Sequence, residues 1–140
     1  MCIRDRCVWD DFSFVSAVEK LSSTPIIAPC YLIIAGQLYT EGVVITRDRT
    51  AALDKWYLNP DKGEWFILET NYDHWKPAPS DDDRRDPGFK VMNSIGRDNI
   101  NTQTLFQVLS TDPVLNHKTT YTTIMSPGKA WFFNTTIRYP

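Results

Sequence analysis

Hydrophobic residues near the start of the chain recur with the period of a helix. Those on the predicted inner face, with two flanking positions, are Phe12, Val15, Val18, Leu21, Phe14 and Ala17. Apolar residues three or four positions apart line one side of an α-helix. The pattern therefore predicts a short amphipathic helix that ends before residues 22–25, where two serines, a threonine and a proline follow.

Continuous apolar runs replace the helical period after residue 30. Residues 31–35 are apolar throughout and are closed by Gly36, which is typical of a strand buried on both faces. Residues 42–46 predict its neighbour across a short turn. Residues 55–58 and 64–70 flank a turn cluster of Asn, Pro, Asp, Lys and Gly. The first half of the chain therefore predicts a four-stranded antiparallel meander.

The second half predicts two helices followed by two strands. Asp86-Pro87 fits a helix start and Gly96 a helix end, and a second helix is predicted over residues 102–109. The predicted inward residues of the two helices are Phe89, Val91, Met92, Ile95, Leu105, Phe106 and Leu109. Strands over residues 119–125 and 130–138 enclose a Pro-Gly turn. This order of elements predicts a layered α+β fold with antiparallel sheets.

The balance of charged residues argues against one class of function, the binding of nucleic acid. The chain has 140 residues with 15 Lys and Arg against 17 Asp and Glu, so its formal net charge is −2. Such a balance offers no basic surface to a polyanion, and nucleic acid is not expected as a partner. The longest apolar stretch, residues 26–36, contains Pro29, and it is well short of the roughly 20 residues that a membrane-spanning helix needs.

The first seven residues differ from the rest of the chain. Residues 1–7 have neither the apolar core nor the cleavage site of a signal peptide, and we interpret them as a non-native leader joined to the gene. Native sequence is then expected over residues 8–140, without its N-terminal part. The three cysteines, an odd number, cannot form a closed disulfide framework. Of these, Cys30 lies in an apolar run and is expected to be inert core.

Functional groups are concentrated between residues 69 and 85. Asn71 follows a predicted buried strand, where its amide can donate to an oxyanion, and Arg84 supplies a fixed positive charge. Asparagines at such boundaries also cap local backbone, and arginines beside aspartates also occur in solvated clusters, so the residues alone leave both interpretations open. Residues 81–83 are consecutive aspartates without the ligand spacing of a calcium loop. Neither a metal nor a cofactor is predicted.

The chain is rich in tryptophan. Five tryptophans could form a platform for a ligand, but large aromatic residues on strands belong more often to the core or to cross-strand pairs. Core positions are therefore predicted for Trp9, Trp56, Trp65, Trp75 and Trp131.

Five blocks of sequence, in order along the chain, resemble one enzyme family. They are residues 41–49, 69–77, 82–85, 109–116 and 121–123. From about Phe12 to its end, the chain is similar to the C-terminal part of the β-subunit in the family of acid ceramidase and N-acylethanolamine-hydrolysing acid amidase. The resemblance implies an N-terminal-nucleophile (Ntn) hydrolase fold, here a partial αββα sandwich. It also implies cleavage of N-acylated lipids in the lysosome or another secretory lumen.

The resemblance implies roles for two residues. Asn71 matches the asparagine that stabilises the tetrahedral oxyanion, and Arg84 matches the active-site arginine 13 positions later. The family's nucleophile is an N-terminal cysteine followed by catalytic Arg and Asp about 16 and 19 residues on. No cysteine of this chain has that pattern, so the chain alone is predicted to be inactive.

The implied partners follow from the same resemblance. They are an N-acyl lipid substrate, the N-terminal remainder and α-subunit of the same enzyme, and a membrane-surface or lipid-transfer helper. The alternative is a non-catalytic lipid-binding or interaction module that keeps the fold. The sequon at residues 134–136 would allow N-glycosylation in a secretory pathway.

Overall fold

The helices and strands fall into two compact units. The structure, a computed structural model, describes residues 13–138, and the units are Met1–Glu69 and Thr70–Pro140. The predicted leader, residues 1–7, lies outside the described residues. No helix in the described part of the chain is long and apolar enough to cross a bilayer.

The first unit is a helix packed on a three-stranded sheet. Its elements are the helix α1 (Phe14–Ser23) and the strands β1 (Cys30–Ala35), β2 (Gly42–Arg47) and β3 (Ala52–Tyr57). All strand pairs are antiparallel, in the order β1-β2-β3. The side chain of Ser13 accepts a hydrogen bond from the backbone N–H of Ser16 and so caps the start of α1. The predicted helix is thus confirmed.

The core of this unit lies between α1 and β2. Val18 packs with Val43 and Ile45, and all three side chains are buried. Phe14 and Leu21 join this cluster from α1, whereas Val15 is 62% exposed. The inward stripe therefore follows positions 14, 18 and 21. The prediction that Val15 faces inward is wrong, and Phe12 lies outside the described residues.

Two predictions for the sheet are also wrong. After β3 the chain forms a 3-10 helix (Pro60–Lys62) and a single bridge between Asn59 and Glu64. Residues 64–70 form no strand that would extend the sheet. The sheet therefore has three strands instead of four. The strand buried on both faces is β2, since Ile33 of β1 is 70% exposed. Cys30 is also exposed at the start of β1, so it is not a core residue.

A buried arginine ties the end of α1 to β2. Arg47 is 1% exposed, and its guanidinium donates to the carbonyl oxygens of Leu21 and, at 2.8 Å, Thr24. These carbonyls lie at the C-terminal end of α1, where helix oxygens lack partners within the helix and a cation is favoured by the helix dipole. Arg47 thus satisfies two backbone acceptors with one side chain.

The turn between β2 and β3 is held by Asp48. The backbone N–H groups of Ala51 and Thr50 donate to its Oδ1 at 2.7 and 2.6 Å, and these bonds lower the pKa of the Asp48 carboxyl below its ordinary value. Such a carboxylate stabilises the fold above its unfolded-state pKa, and the contribution is lost as the pH falls through the folded-state pKa.

We expect the Asp48→Ala substitution to destabilise the protein more at neutral than at acid pH. The difference from wild type in urea midpoint should shrink as the pH is lowered below about 4, because the carboxyl group takes up a proton first in the unfolded state and then, at its lowered pKa, in the folded state. The Asp61→Ala variant, at an exposed aspartate of the next turn, serves as the control. A difference that stays constant down to about pH 2 would contradict the assigned pKa direction.

The second unit contains two helices and a hairpin. Its elements are the helices α2 (Arg85–Ile95) and α3 (Thr102–Val108) and the antiparallel strands β4 (Tyr121–Ser126) and β5 (Lys129–Ile137). Gly96 ends α2 at φ 75°, a conformation that favours glycine. Asn101 and Thr104 form a capping box at the start of α3. The predicted elements of this half of the chain are confirmed.

Packing in this unit differs in part from the predicted core. Met92 and Val108 are buried, but Trp131 is 80% exposed and Trp75 is also exposed, so the core prediction is wrong for both tryptophans. Trp56 and Trp65, in the first unit, are half-buried, and Trp9 lies outside the described residues. Asn134 of the sequon is exposed on β5. Aromatic content alone did not separate core from surface.

Arg138 joins the hairpin to the end of α3. Its Nε donates to Thr122 Oγ1 at 2.8 Å, and its Nη2 donates to Ser110 Oγ at 2.7 Å. The guanidinium carbon lies 3.9 Å from the centre of the Phe106 ring. The hairpin is therefore fastened to α3 by hydrogen bonds and a cation–π contact.

Candidate active site

Asn71 and Arg84 meet at the start of α2. Asn71 is exposed and follows an irregular segment rather than the predicted strand, and Arg84 is the residue directly before α2. The Nη2 of Arg84 donates to Oδ1 of Asn71 at 2.6 Å. The structure thus brings together the two residues that the sequence singled out, and their catalytic roles stay predictions.

The contact defines which way the Asn71 amide points. An arginine guanidinium only donates hydrogen bonds, so the atom of Asn71 that faces it is the carbonyl oxygen. The Nδ2 amino group, which carries two hydrogens, is thereby directed away from Arg84. Within the described residues, this Nδ2 donates no hydrogen bond. An uncommitted neutral donor at this position is the group that an oxyanion needs.

Arg84 is itself held by a carboxylate. Its Nε donates to Oδ1 of Asp82 at 2.7 Å, and its Nη2 donates to Oδ2 of the same residue at 3.0 Å. Both side chains are partly exposed, with 22% of Arg84 and 39% of Asp82 accessible. Sequence reasoning treated residues 81–83 as one acidic cluster and missed this pair. The sequence pattern that could have indicated the Asp82–Arg84 pair is an aspartate two positions before an arginine, directly ahead of a predicted helix.

Arg85 holds the backbone of the loop that follows Asn71. Its shortest bonds are from Nη2 to the carbonyl oxygen of Asp73 at 2.9 Å and from Nη1 to that of Lys76 at 2.8 Å. Longer bonds of 3.3 Å reach the carbonyls of Tyr72 and His74. The guanidinium carbon also lies 4.1 Å from the centre of the Tyr72 ring. Sequence reasoning missed this role, because it depends on carbonyls 9–13 positions away.

The site opens into a cavity of about 960 Å³ within the second unit. One wall is formed by Asn71 and residues 80–84, and the other by Pro113 and residues 116–121. Such a volume is at the upper end of the range for small-molecule sites. In the described part of the chain, no three His, Cys, Asp or Glu side chains are grouped as metal ligands would be. The lining brings the Asn71 amide and the Arg84 guanidinium together with the carboxylates of residues 81–83.

Curated proteins similar to this chain carry two names. N-acylethanolamine-hydrolyzing acid amidase of Oryctolagus cuniculus is 52% identical over 91% of this chain, and the match covers 36% of the relative. The Mus musculus protein of that name is 54% identical over 91% of this chain and 35% of its own length. Acid ceramidase of Homo sapiens is 43% identical over 86% of this chain and 30% of its own length. The chain spans about a third of the length of these relatives.

A solved structure is similar over nearly the whole chain. It is a Caenorhabditis elegans N-acylethanolamine-hydrolyzing acid amidase ortholog, 36% identical, with a TM-score of 0.83. The match covers 98% of this chain and 59% of that one. No protein-family model matches the chain. The similarity confirms the predicted α+β fold class of the Ntn hydrolases.

Proposed function

Because this chain belongs to the family of N-acylethanolamine-hydrolysing acid amidase and acid ceramidase, we propose that the protein carrying it hydrolyses the amide bond of N-acylated lipids. The products are a fatty acid and an amine. The observation that carries this proposal is the 2.6 Å bond from Arg84 to Asn71 Oδ1, which leaves the Asn71 amino group as an oriented donor beside a large cavity.

Asn71 acts when the substrate carbonyl is attacked. The nucleophile is the thiol of an N-terminal cysteine in the remaining polypeptide of the enzyme, since none of this chain's three cysteines has the family's spacing. Its attack on the substrate places negative charge on the carbonyl oxygen. The Nδ2 group of Asn71 donates to that oxygen. A neutral amide suits this task, since it stabilises the developing charge without giving up its proton. A bound lipid that displaces water from the cavity strengthens the bond.

Arg84 supports Asn71 through the oxygen of the same amide. Donation from a charged guanidinium to Oδ1 draws electron density from the amide, which makes the Nδ2 hydrogens better donors.

The partners and location belong to the same proposal. The names of the relatives support ceramide or an N-acylethanolamine as the substrate class. The remaining polypeptide of the enzyme supplies the nucleophile, its Arg and Asp, and the α-subunit. A lysosomal or secretory lumen is the proposed location, and a membrane surface or lipid-transfer helper presents the substrate.

The proposal is tested with the full-length protein. We expect release of fatty acid from N-acylethanolamine, from ceramide or from both at acid pH, and no release by the 140-residue chain alone. The measurement is fatty-acid release followed by mass spectrometry, with matched ester lipids as a specificity control. Tight binding of these lipids without any turnover by the full-length protein would instead favour a lipid-binding module.

A further inference from the structure

Asp82 holds Arg84 in one orientation from two positions away in the chain. The two carboxylate oxygens accept from Nε and Nη2, at 2.7 and 3.0 Å, so the guanidinium is gripped along one edge. The backbone supports this grip, since the N–H of Asp82 donates to the carbonyl of Pro79 and the N–H of Arg84 donates to the carbonyl of Asp82. A planar group held at two atoms has its plane defined.

The same Nη2 atom links Asp82 to Asn71. One nitrogen donates to Asp82 Oδ2 at 3.0 Å and to Asn71 Oδ1 at 2.6 Å, which uses both of its hydrogens. Once Asp82 defines the guanidinium plane, the direction of the second N–H is set as well. Oδ1 of Asn71 accepts from that N–H, so the guanidinium sets the position of the oxygen. Because the amide group is planar, the oxygen in turn sets where Nδ2 lies.

The neighbouring aspartates do different things. Asp83 Oδ1 accepts from the backbone N–H of Asp86 at 3.2 Å, in the first turn of α2. Asp81 is exposed and lines the cavity. Among the described residues, the side-chain hydrogen bonds of Arg84 go to Asp82 and Asn71. Of the three aspartates, Asp82 is therefore the one coupled to the site.

We infer that Asp82 is a positioning residue: through Arg84 it fixes the orientation of the Asn71 amide. This inference rests on the proposed amide hydrolysis for its kinetic consequence and on geometry alone for the orientation itself. Without the carboxylate, Arg84 can swing into the open cavity, and the Asn71 amide can rotate about its broad terminal torsion. The expected defect is in the chemical step, while substrate binding is largely retained.

The kinetic test uses Asp82→Asn in the full-length protein. We expect kcat to fall roughly tenfold or more, since misplacement of a catalytic group by about 1 Å can cost about 10²-fold, and KM to stay within about twofold. The Asp82→Glu variant keeps both carboxylate oxygens and should retain more activity. The control Asp98→Asn removes the same charge from an exposed position after α2, away from the cavity wall, and should stay close to wild type.

A double-mutant cycle separates positioning from a merely structural effect. Lysine cannot reproduce the two-atom grip, so Arg84→Lys already breaks the link between Asp82 and Asn71. Adding Asp82→Asn to Arg84→Lys should then cost less than about twofold in kcat. Additive losses in the double variant would overturn the inference.

A spectroscopic experiment, the second arm of the test, measures the orientation of the Arg84 guanidinium and the Asn71 amide without using activity. In protein labelled with ¹⁵N-arginine and ¹⁵N-asparagine, the Nε–H signal of Arg84 should be protected from exchange, and its loss in Arg84→Lys assigns it. The signal should shift and lose protection in Asp82→Asn but not in Asp98→Asn, and the Nδ2 signals of Asn71 should move with it. If the wild type hydrolyses no acyl amide, the proposed function fails, and this arm alone decides the orientation. Unchanged Asn71 signals in Asp82→Asn would refute it.

Discussion

The Asn71→Ala substitution is expected to lower kcat by about 10²- to 10³-fold with little change in KM. Removing one oxyanion donor has this effect in other acyl-transfer enzymes, because the bond forms fully only in the transition state. Asn71 is exposed, and among the described residues its side-chain hydrogen bond goes to Arg84, so the variant should fold. The measurement is steady-state hydrolysis of N-acylethanolamine and ceramide by the full-length enzyme.

Asn116→Ala provides a matched control for this experiment. Asn116 lines the same cavity, but its Oδ1 accepts from the backbone N–H of Lys118 at 2.9 Å, as in a local turn. We expect its kcat to lie within about threefold of wild type, because this asparagine is not placed in the oxyanion site. Wild-type activity of Asn71→Ala, or an equal loss in both variants, would remove the role assigned to Asn71.

The Arg47→Ala substitution is expected to cost about 3–5 kcal/mol of unfolding free energy. It empties the volume of a large buried side chain and leaves the carbonyl oxygens of Leu21 and Thr24 without their donor. A loss of this size is a large fraction of the stability of a typical domain. The measurement is urea unfolding of the full-length protein, followed by far-UV circular dichroism.

The neighbouring Arg49 supplies the control for this substitution. Its side chain is exposed, and the hydrogen bond from the Ile26 N–H goes to its backbone carbonyl, which alanine preserves. Arg49→Ala should therefore change the unfolding free energy by less than about 0.5 kcal/mol. A similar small effect from Arg47→Ala would mean that water replaces the guanidinium at the end of α1.

Local signals predicted the second half of the chain well. The hairpin of β4 and β5, the helix end at Gly96 and the extent of α3 all follow from alternation, capping and turn residues that act over a few positions. The segment at residues 64–70 failed because strand propensity describes a side-chain surface, whereas a strand also needs a partner. Likewise, an apolar run does not show which strand is central. The sequence therefore predicts burial on both faces for β1, whereas the structure shows it for β2.

The candidate site was predictable only in part. The sequence resemblance singled out Asn71 and Arg84, and the structure places them in contact. Asp82 and Arg85 of the site, and Arg47 in the core of the first unit, were missed because their roles depend on where backbone carbonyls and side chains meet in space. Charged residues of similar local appearance, such as Asp81 and Arg49, do not share these roles. Composition treats such neighbours alike, and geometry separates them.

The paired arginines before and at the start of α2 have a practical consequence for labelling the protein. Arg84 binds the side chain of Asn71, and Arg85 binds the backbone of residues 72–76. The segment 77–83, which connects these residues to the two arginines, is therefore anchored at both ends. Within it, Pro77, Pro79 and Ser80 are exposed. Lengthening a loop whose ends are already anchored adds little entropic cost. A fluorophore or short epitope inserted between Pro77 and Ala78, before the Pro79 carbonyl that accepts from Asp82, would therefore report from near the cavity while the anchored residues keep their places.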